Sequence, residues 1–230
     1  MARILIYDRY EDEIYTYNDL DENDPMPFSY NTTLKVKEFR GVSSSPTLWT
    51  TTAAMEAWNL TRRSYANPIH VGYAFRRIWE GGHGTRSQHY AGLAFDVGQG
   101  QGNAVRNAIH SAATDTGAWG YVEPQSMTPT WVHFDRRYGT PACSGTTSGY
   151  PTVRRGSRGV YVMVLQDALS ALGYPTGTRI DGKFGSLTQE ALVGYQRQNG
   201  LAADGVCGCN SWKKITAAVL GIGRTSTVIN

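Results

Sequence analysis

The chain has little cysteine, little net charge and no long apolar run, and each shortage removes a class of protein. Its three cysteines, Cys143, Cys207 and Cys209, leave one thiol over however they pair, and no Cys/His cluster has the spacing of a structural zinc knuckle. A link from Cys143 to the C-terminal pair is one of the pairings open to them. No stretch nears the roughly 18 apolar residues of a membrane helix, so membrane insertion is not expected. The opening Met1–Asp8 lacks the long apolar core of a signal peptide, so the expectation is unconventional export or a leader outside this sequence. With 22 Lys and Arg against 19 Asp and Glu, the net charge is +3. That is too little to make nucleic acid the partner, although mild basicity suits an anionic surface.

What is present reads as a loop-rich globular protein: 40% hydrophobic residues, 18% charged residues, 26 glycines and 14 tyrosines in 230 residues. That length accommodates one ordinary domain and a small one. Apolar and polar residues alternate around Ile4, Ile6, Ile14, Tyr15 and Tyr17, which predicts an N-terminal hairpin in residues 1–33 that decorates the next domain. Asp19-Leu-Asp21-Glu-Asn23 imitates the start of a calcium loop. Asp24 stands where Gly is needed and Tyr30 where the closing Glu is needed, so a solvated acidic loop is expected. From Leu48 to Tyr65, Ala54, Met55 and Trp58 predict a helix packed on a sheet. Residues 143–152, rich in Gly, Ser and Thr, have the composition of a flexible linker.

Beyond the linker, Val162, Leu165, Leu169 and Leu172 recur at helical spacing, giving an amphipathic helix that ends near Gly173. Ser186 with Gln189 predicts a capping box for a second helix lined by Ala191, Leu192 and Tyr195. Asn210 can cap a third, carrying Trp212 and Ile215. Asp181-Gly-Lys-Phe-Gly185 and Asp204-Gly-Val-Cys-Gly208 repeat one pattern. Residues 153–230 are therefore expected to be an all-α three-helix bundle with two related loops.

The stretch richest in chemistry is Ser87-Gln-His89-Tyr-Ala-Gly92-Leu-Ala-Phe-Asp96, joined by Trp131-Val-His133-Phe-Asp135. Both segments read as strand entries, with a bend at Gly92 because His89 and Asp96 are an odd number of residues apart. Past the bend, Leu93, Phe95 and Val97 would face the core and Asp96 the other side, presented and not buried. In the second strand Trp131, His133 and Asp135 share a face. Two imidazoles and one carboxylate form a three-ligand zinc set that leaves a fourth position for water, the arrangement of a catalytic site.

These motifs resemble the zinc D-alanyl-D-alanine carboxypeptidase and L-alanyl-D-glutamate endopeptidase family, peptidase family M15. Ser87, His89, Gly92, Ala94, Asp96 and the His133-x-Asp135 strand all fall in register, and the likeness covers roughly residues 34–142. It implies an α+β catalytic domain, an antiparallel sheet with helices like that of Hedgehog signalling domains, with His89, Asp96 and His133 as zinc ligands. It also implies a substrate clamp at Arg76, because Pro68-Ile-His-Val-Gly-Tyr-Ala-Phe-Arg76 is similar to the family's strand ending Ser-Gly-Tyr-Arg. Many relatives carry a Glu three residues before the last ligand or a His two before it; here Thr130 and Trp131 stand there, and Tyr73 replaces the usual Ser. Asp135 and Glu123 are then the two candidates for a general base, Asp135 having a second option of pairing with Arg136 or Arg137.

Tyr73, His83 and Trp131 are candidates to touch substrate, His83 being otherwise an exposed loop histidine; His70 and His110 are read as structural and Arg77 as solvated. Residues 153–217, through Arg155-Gly-Ser-Arg-Gly159, Leu172-Gly-Tyr174, the two Asp-Gly loops and Tyr195-Gln196, resemble the peptidoglycan-binding domain 1 family, which implies binding to glycan or stem peptide. Together the two likenesses imply a monomeric, extracytoplasmic or wall-associated peptidase of peptidoglycan, of host or phage-lysin setting. The alternative is a non-catalytic zinc-containing wall-binding protein.

Overall fold

Strand β1 (Ala2–Asp8) is buried on both faces, with Ile4, Leu5 and Ile6 each exposing 1% or less. It pairs antiparallel with β2 (Glu13–Leu20), as the alternation predicts, and parallel with β3 (Thr47–Thr51) on its other edge. β1 is thus part of the core, while β2, which has no buried residue, lies at the sheet's edge. The parallel pair also departs from the expected antiparallel sheet: residues 21–46, including the short helix α1 (Val36–Arg40), carry the chain back to the start of the sheet before β3 begins. Such a return is what a parallel pair requires. The computed structural model describes residues 1–30 and 33–222; the end of the expected three-helix module, residues 223–230, lies outside them.

The helix expected from Leu48 instead starts at Thr52, because Thr47-Leu-Trp-Thr-Thr is β-branched and aromatic and completes the sheet. Thr51 closes the strand and caps α2 (Thr52–Tyr65), its Oγ1 accepting from the Ala54 N–H at 3.1 Å. Ala54, Met55, Ala57 and Trp58 are buried, and Trp58 stacks on Phe95 with centroids 4.9 Å apart. Helix α3 (Asn103–Asp115) contributes Ile109, Ala112 and Ala113 to the core. A second sheet, antiparallel throughout, has the order β4 (Val71–Tyr73), β5 (Ala94–Val97), β7 (Val132–Asp135), β6 (Tyr121–Val122). These elements form one unit, Met1–Phe75 with Gly92–Tyr138.

The other unit comprises Arg76–Ala91 and the chain from Gly139 onward. A boundary at the linker alone would have left 76–91 with the first unit. Helix α4 (Val160–Ala171) accounts for the difference: Val160 to Leu165 each expose 2% or less, so the helix is buried all round and not on one stripe. Part of that cover is the segment 76–91. Arg77, expected in solvent, is fully buried and pairs with fully buried Asp167 at 2.6 Å, while the Ile78 N–H donates to the same carboxylate at 3.1 Å. Burial pushes the Asp167 carboxyl up, and Arg77 opposes that shift. Asp167→Ala would remove the carboxylate shared by Arg77 and the Ile78 N–H, at a cost of about 3–5 kcal/mol. We expect a clear drop in the denaturant midpoint of this unit; an unchanged midpoint would show the pair to be dispensable.

Helices α5 (Ser186–Gln198) and α6 (Cys209–Gly221) complete the three-helix module. Their N-caps are Gly185 and Gly208 and not the expected Ser186 and Asn210. The two related loops are held by two equivalent glutamines. Gln166 Nε2 donates to Asp181 and Lys183 O while its Oε1 accepts from Gly182 N–H; Gln196 Nε2 donates to Asp204 and Val206 O while its Oε1 accepts from Gly205 N–H. Each buried amide thereby satisfies a loop's backbone. The expected linker is tied down at several points: Cys143 is disulfide-bonded to Cys209, Pro141 bridges Pro151, and Tyr150 is buried. Cys207 is the remaining thiol, fully buried, and burial raises its pKa well above the ordinary value.

Candidate metal centre

The antiparallel sheet sets a row of the candidate side chains across three strands and the residue that follows β6. Tyr73 lies opposite Asp96 and Asp96 opposite His133, and the Glu123 N–H donates to His133 O at 2.9 Å, extending the β6–β7 register by one residue. Residues opposite one another in a sheet share a face, so Tyr73, Asp96, His133 and Glu123 form one line. Asp135 and Tyr121, the next pair on that face, stand beside it. Phe95 and Phe134, on the opposite face, enter the aromatic core with Trp119, which lies 4.4 Å from Phe134.

Asp96 is 9% exposed, so it is buried where the alternation had it presented. Its Oδ1 lies 2.6 Å from His133 Nδ1, and His133 Nε2 lies 3.4 Å from Asp135 Oδ2. Burial opposes charging of the ring, but Asp135 and Asp96 outweigh it and lift the His133 pKa to about 9. Asp135 is fully buried and receives the Arg137 backbone N–H at 3.0 Å, its Nε at 2.7 Å and its Nη2. Burial raises the Asp135 carboxyl, yet hydrogen bonds from Arg137 and His133 overcome this and hold it below the usual range. Asp135 therefore takes the pairing option and orients the His133 ring. Arg137 in turn lies 4.4 Å above the Tyr121 ring. Glu123 is half-buried, and its carboxylate has no hydrogen bond or ion pair among the described residues. His110 Nε2 lies 3.1 Å from the Glu123 carbonyl, a structural role.

The bend before Asp96 is built at Gly92, whose φ of +66° is left-handed; an added Cβ would lie 1.8 Å from the Trp49 carbonyl oxygen. The Gly92 carbonyl accepts from Thr50 Oγ1 at 2.6 Å. Ahead of that bend, His89 sits on a short 3-10 turn, Gln88–Ala91, and not on a strand. In that segment His83 stacks on His89 with ring centroids 4.2 Å apart. The Tyr90 hydroxyl accepts from the His83 N–H and donates to the His83 carbonyl, which fixes the glycine loop expected to be exposed. Arg76 is buried, and Gly82, at φ +91°, lies against it, an added Cβ meeting Nη2 at 3.3 Å. Trp131 is half-buried, Tyr73 is 37% exposed, and Thr130 faces solvent.

Thus Asp96, His133, Asp135, Glu123 and Tyr73 gather on one sheet, while Arg76, His83 and His89 belong to the other segment. Sequence reasoning missed Tyr90 and Tyr121. Tyr90 lies in an unspecified position of the metal motif, and β6 is only two residues long, too short for alternation to show. An imidazole nitrogen and a carboxylate oxygen at 2.6 Å, both mostly buried, are donors suited to a divalent cation, which would take the place of the proton between them.

Comparison with known proteins gives partial matches. The family model described as "Putative peptidoglycan binding domain" matches residues 158–215. N-acetylmuramoyl-L-alanine amidase CwlM of Mycobacterium tuberculosis is 55% identical over 47 residues, 20% of this chain and 11% of that protein. The zinc D-Ala-D-Ala carboxypeptidase of Streptomyces albus G is 40% identical over 77 residues, 32% of this chain and 29% of that protein. This chain therefore spans under a third of either curated relative. Among solved structures, a peptidoglycan-binding protein from Clostridioides difficile aligns at 38% identity with a TM-score of 0.30, covering 31% of this chain and 44% of that one. No helix among the described residues is long and apolar enough to cross a membrane.

Proposed function

We propose that this protein hydrolyses a peptide bond of bacterial peptidoglycan with zinc held by Asp96, His133 and His89, and that its three-helix module binds the same polymer. The observation that carries this reading is the line Tyr73, Asp96, His133, Glu123 on one sheet face, which sets a metal donor pair beside a carboxylate that has no partner among the described residues. The match over residues 158–215 and the likeness to a zinc carboxypeptidase support the polymer and the metal. The setting is then the cell wall.

Each residue has a task. Asp96 and His133 are two of the donors, and Asp135, anchored by Arg137, holds the His133 ring in one orientation through Nε2. A zinc ion held by these residues would supply Lewis acidity and lower the pKa of water to about 7. Glu123 accepts a proton from water and returns it to the leaving nitrogen as the peptide bond breaks. Arg76 pairs with a substrate carboxylate, with its guanidinium packed by Gly82. Tyr73, Trp131 and His83 border the substrate. The bonds compatible with this chemistry are D-Ala-D-Ala, L-Ala-D-Glu and crossbridge peptides.

Metal removal tests the proposal. Dialysis against a chelator is expected to abolish release of new amino termini from purified peptidoglycan, and about one equivalent of zinc to restore it. Release that persists at full rate in the chelated protein would exclude the zinc mechanism. Wall binding without any release in the zinc-loaded protein would favour a non-catalytic binder.

A further inference from the structure

Resting on the reading of peptidoglycan as the polymer, we infer that a second, non-catalytic pocket in the C-terminal unit recognises the carboxylates of the stem peptide. A cavity of about 510 Å³ lies between the 141–150 segment, Thr85-Arg86 and the first two turns of α6. Its volume is that of a small-ligand site. Most of its wall lies outside the residues 158–215 matched by the binding-domain family.

The walls are fixed. Trp212 Nε1 donates to Pro151 O at 2.8 Å, the Tyr150 hydroxyl donates to Ser87 O at 2.7 Å, and the two rings meet edge to face at 4.9 Å. The Ala142 N–H donates to Tyr150 O at 2.9 Å, and the Cys143–Cys209 disulfide joins the segment to the start of α6. A segment with the composition of a flexible linker is thereby made into the wall of a preformed site, which lowers the ordering cost of binding.

The charge pattern selects the ligand. The lining holds two cations, Arg86 and Lys213, and no carboxylate, and both cations are exposed with no acidic partner among the described residues. Gly149 lies against the Arg86 stem, where an added Cβ would meet Cδ at 3.3 Å, so the stem is held beside the pocket. The rest of the lining includes Pro141, Ala142, Ala217, Trp212 and the disulfide. Small apolar walls interspersed with the hydroxyls of Thr85, Ser144, Thr146, Ser148 and Thr216, and two separated cations, fit a short peptide with methyl side chains, backbone amides and two carboxylates, such as the D-Glu α-carboxylate and the terminal D-Ala carboxylate. A phosphate polymer would instead call for an open, cation-rich surface.

The test is calorimetric titration of full-length His133→Ala, in which the proposed zinc site is disabled, with a synthetic D-Glu-containing peptide ending in D-Ala-D-Ala. Saturable binding is expected. The Arg86→Ala/Lys213→Ala pair should raise Kd at least about 10-fold, as should amidating both peptide carboxylates, while Arg86→Lys/Lys213→Arg retains binding. Because both side chains are exposed, the double variant should remain folded, which circular dichroism checks. An unchanged Kd in the double variant, or a glycerol-phosphate oligomer that displaces the peptide at lower concentration, overturns the inference. Cation-dependent peptide binding in a protein that releases nothing from peptidoglycan upholds this pocket and sinks the hydrolase reading. Release by the wild type with no pocket-dependent binding does the reverse.

Discussion

Glu123→Gln is expected to bind zinc at the wild-type stoichiometry while peptide release slows by about 10²–10⁴-fold, the range for loss of a general base. What each carboxylate near His133 already does leaves Glu123 for this role. Asp135 is fully buried and occupied by Arg137 and His133, so it has no lone pair directed at a water. Asp96 is taken up as a donor in the proposed zinc site. Glu123 stands next to His133 across the strand pair, half-buried and without a partner among the described residues. Asp135→Asn serves as the contrast: because it loosens the ring of His133, the proposed ligand, it should weaken zinc affinity by about 10–100-fold, with activity recovering at high zinc. Should Asp135→Asn with full zinc lose as much rate as Glu123→Gln, the two assignments would have to be exchanged.

Gly92→Ala is expected to abolish folding of the unit that carries Asp96 and His133. A non-glycine residue at φ +66° costs roughly 1–2 kcal/mol on its own. Steric overlap here costs more than that, because the new methyl would sit 1.8 Å from the Trp49 carbonyl oxygen, a backbone atom of β3 that cannot rotate away. Either β3 moves, breaking the Thr50–Gly92 hydrogen bond, or the bend opens and Asp96 leaves its register with His133. A loss of more than about 5 kcal/mol exceeds what most single substitutions do and would consume much of a typical domain's stability. Soluble Gly92→Ala with a wild-type melting curve would show that the bend is not needed.

The sequence disclosed which side chains share a sheet face more readily than what supports them mechanically. The faces of Asp96 and His133 were legible because strand alternation separates them from Phe95 and Phe134, and the bend at Gly92 followed from an odd spacing. The burial of Asp96 was not legible, since alternation says which residues share a face but not whether that face is covered. Asp135's role turned on Arg137, two residues away, and only the folded geometry separates an ion pair from a free base. The Glu123 placement came from register between strands that are far apart in sequence. In the fold, the hairpin and three helices could be read from periodicity. The parallel β1–β3 pair, the all-round burial of α4 and the burial of Arg77 could not, because each depends on long-range pairing. The Gly/Ser/Thr-rich segment was misleading for a related reason: composition reports flexibility of the free chain, and a disulfide with buried Tyr150 overrides it.

The central claim is that His133 belongs to a metal site that cuts peptidoglycan. Its most direct test is to incubate zinc-loaded wild type and His133→Ala with purified peptidoglycan and identify the released fragments by mass spectrometry. New peptide termini with the wild type alone, at one kind of bond, are the predicted result and would identify that bond. Equal release by both proteins, or wall binding by both with no fragments from several peptidoglycan types, would contradict it.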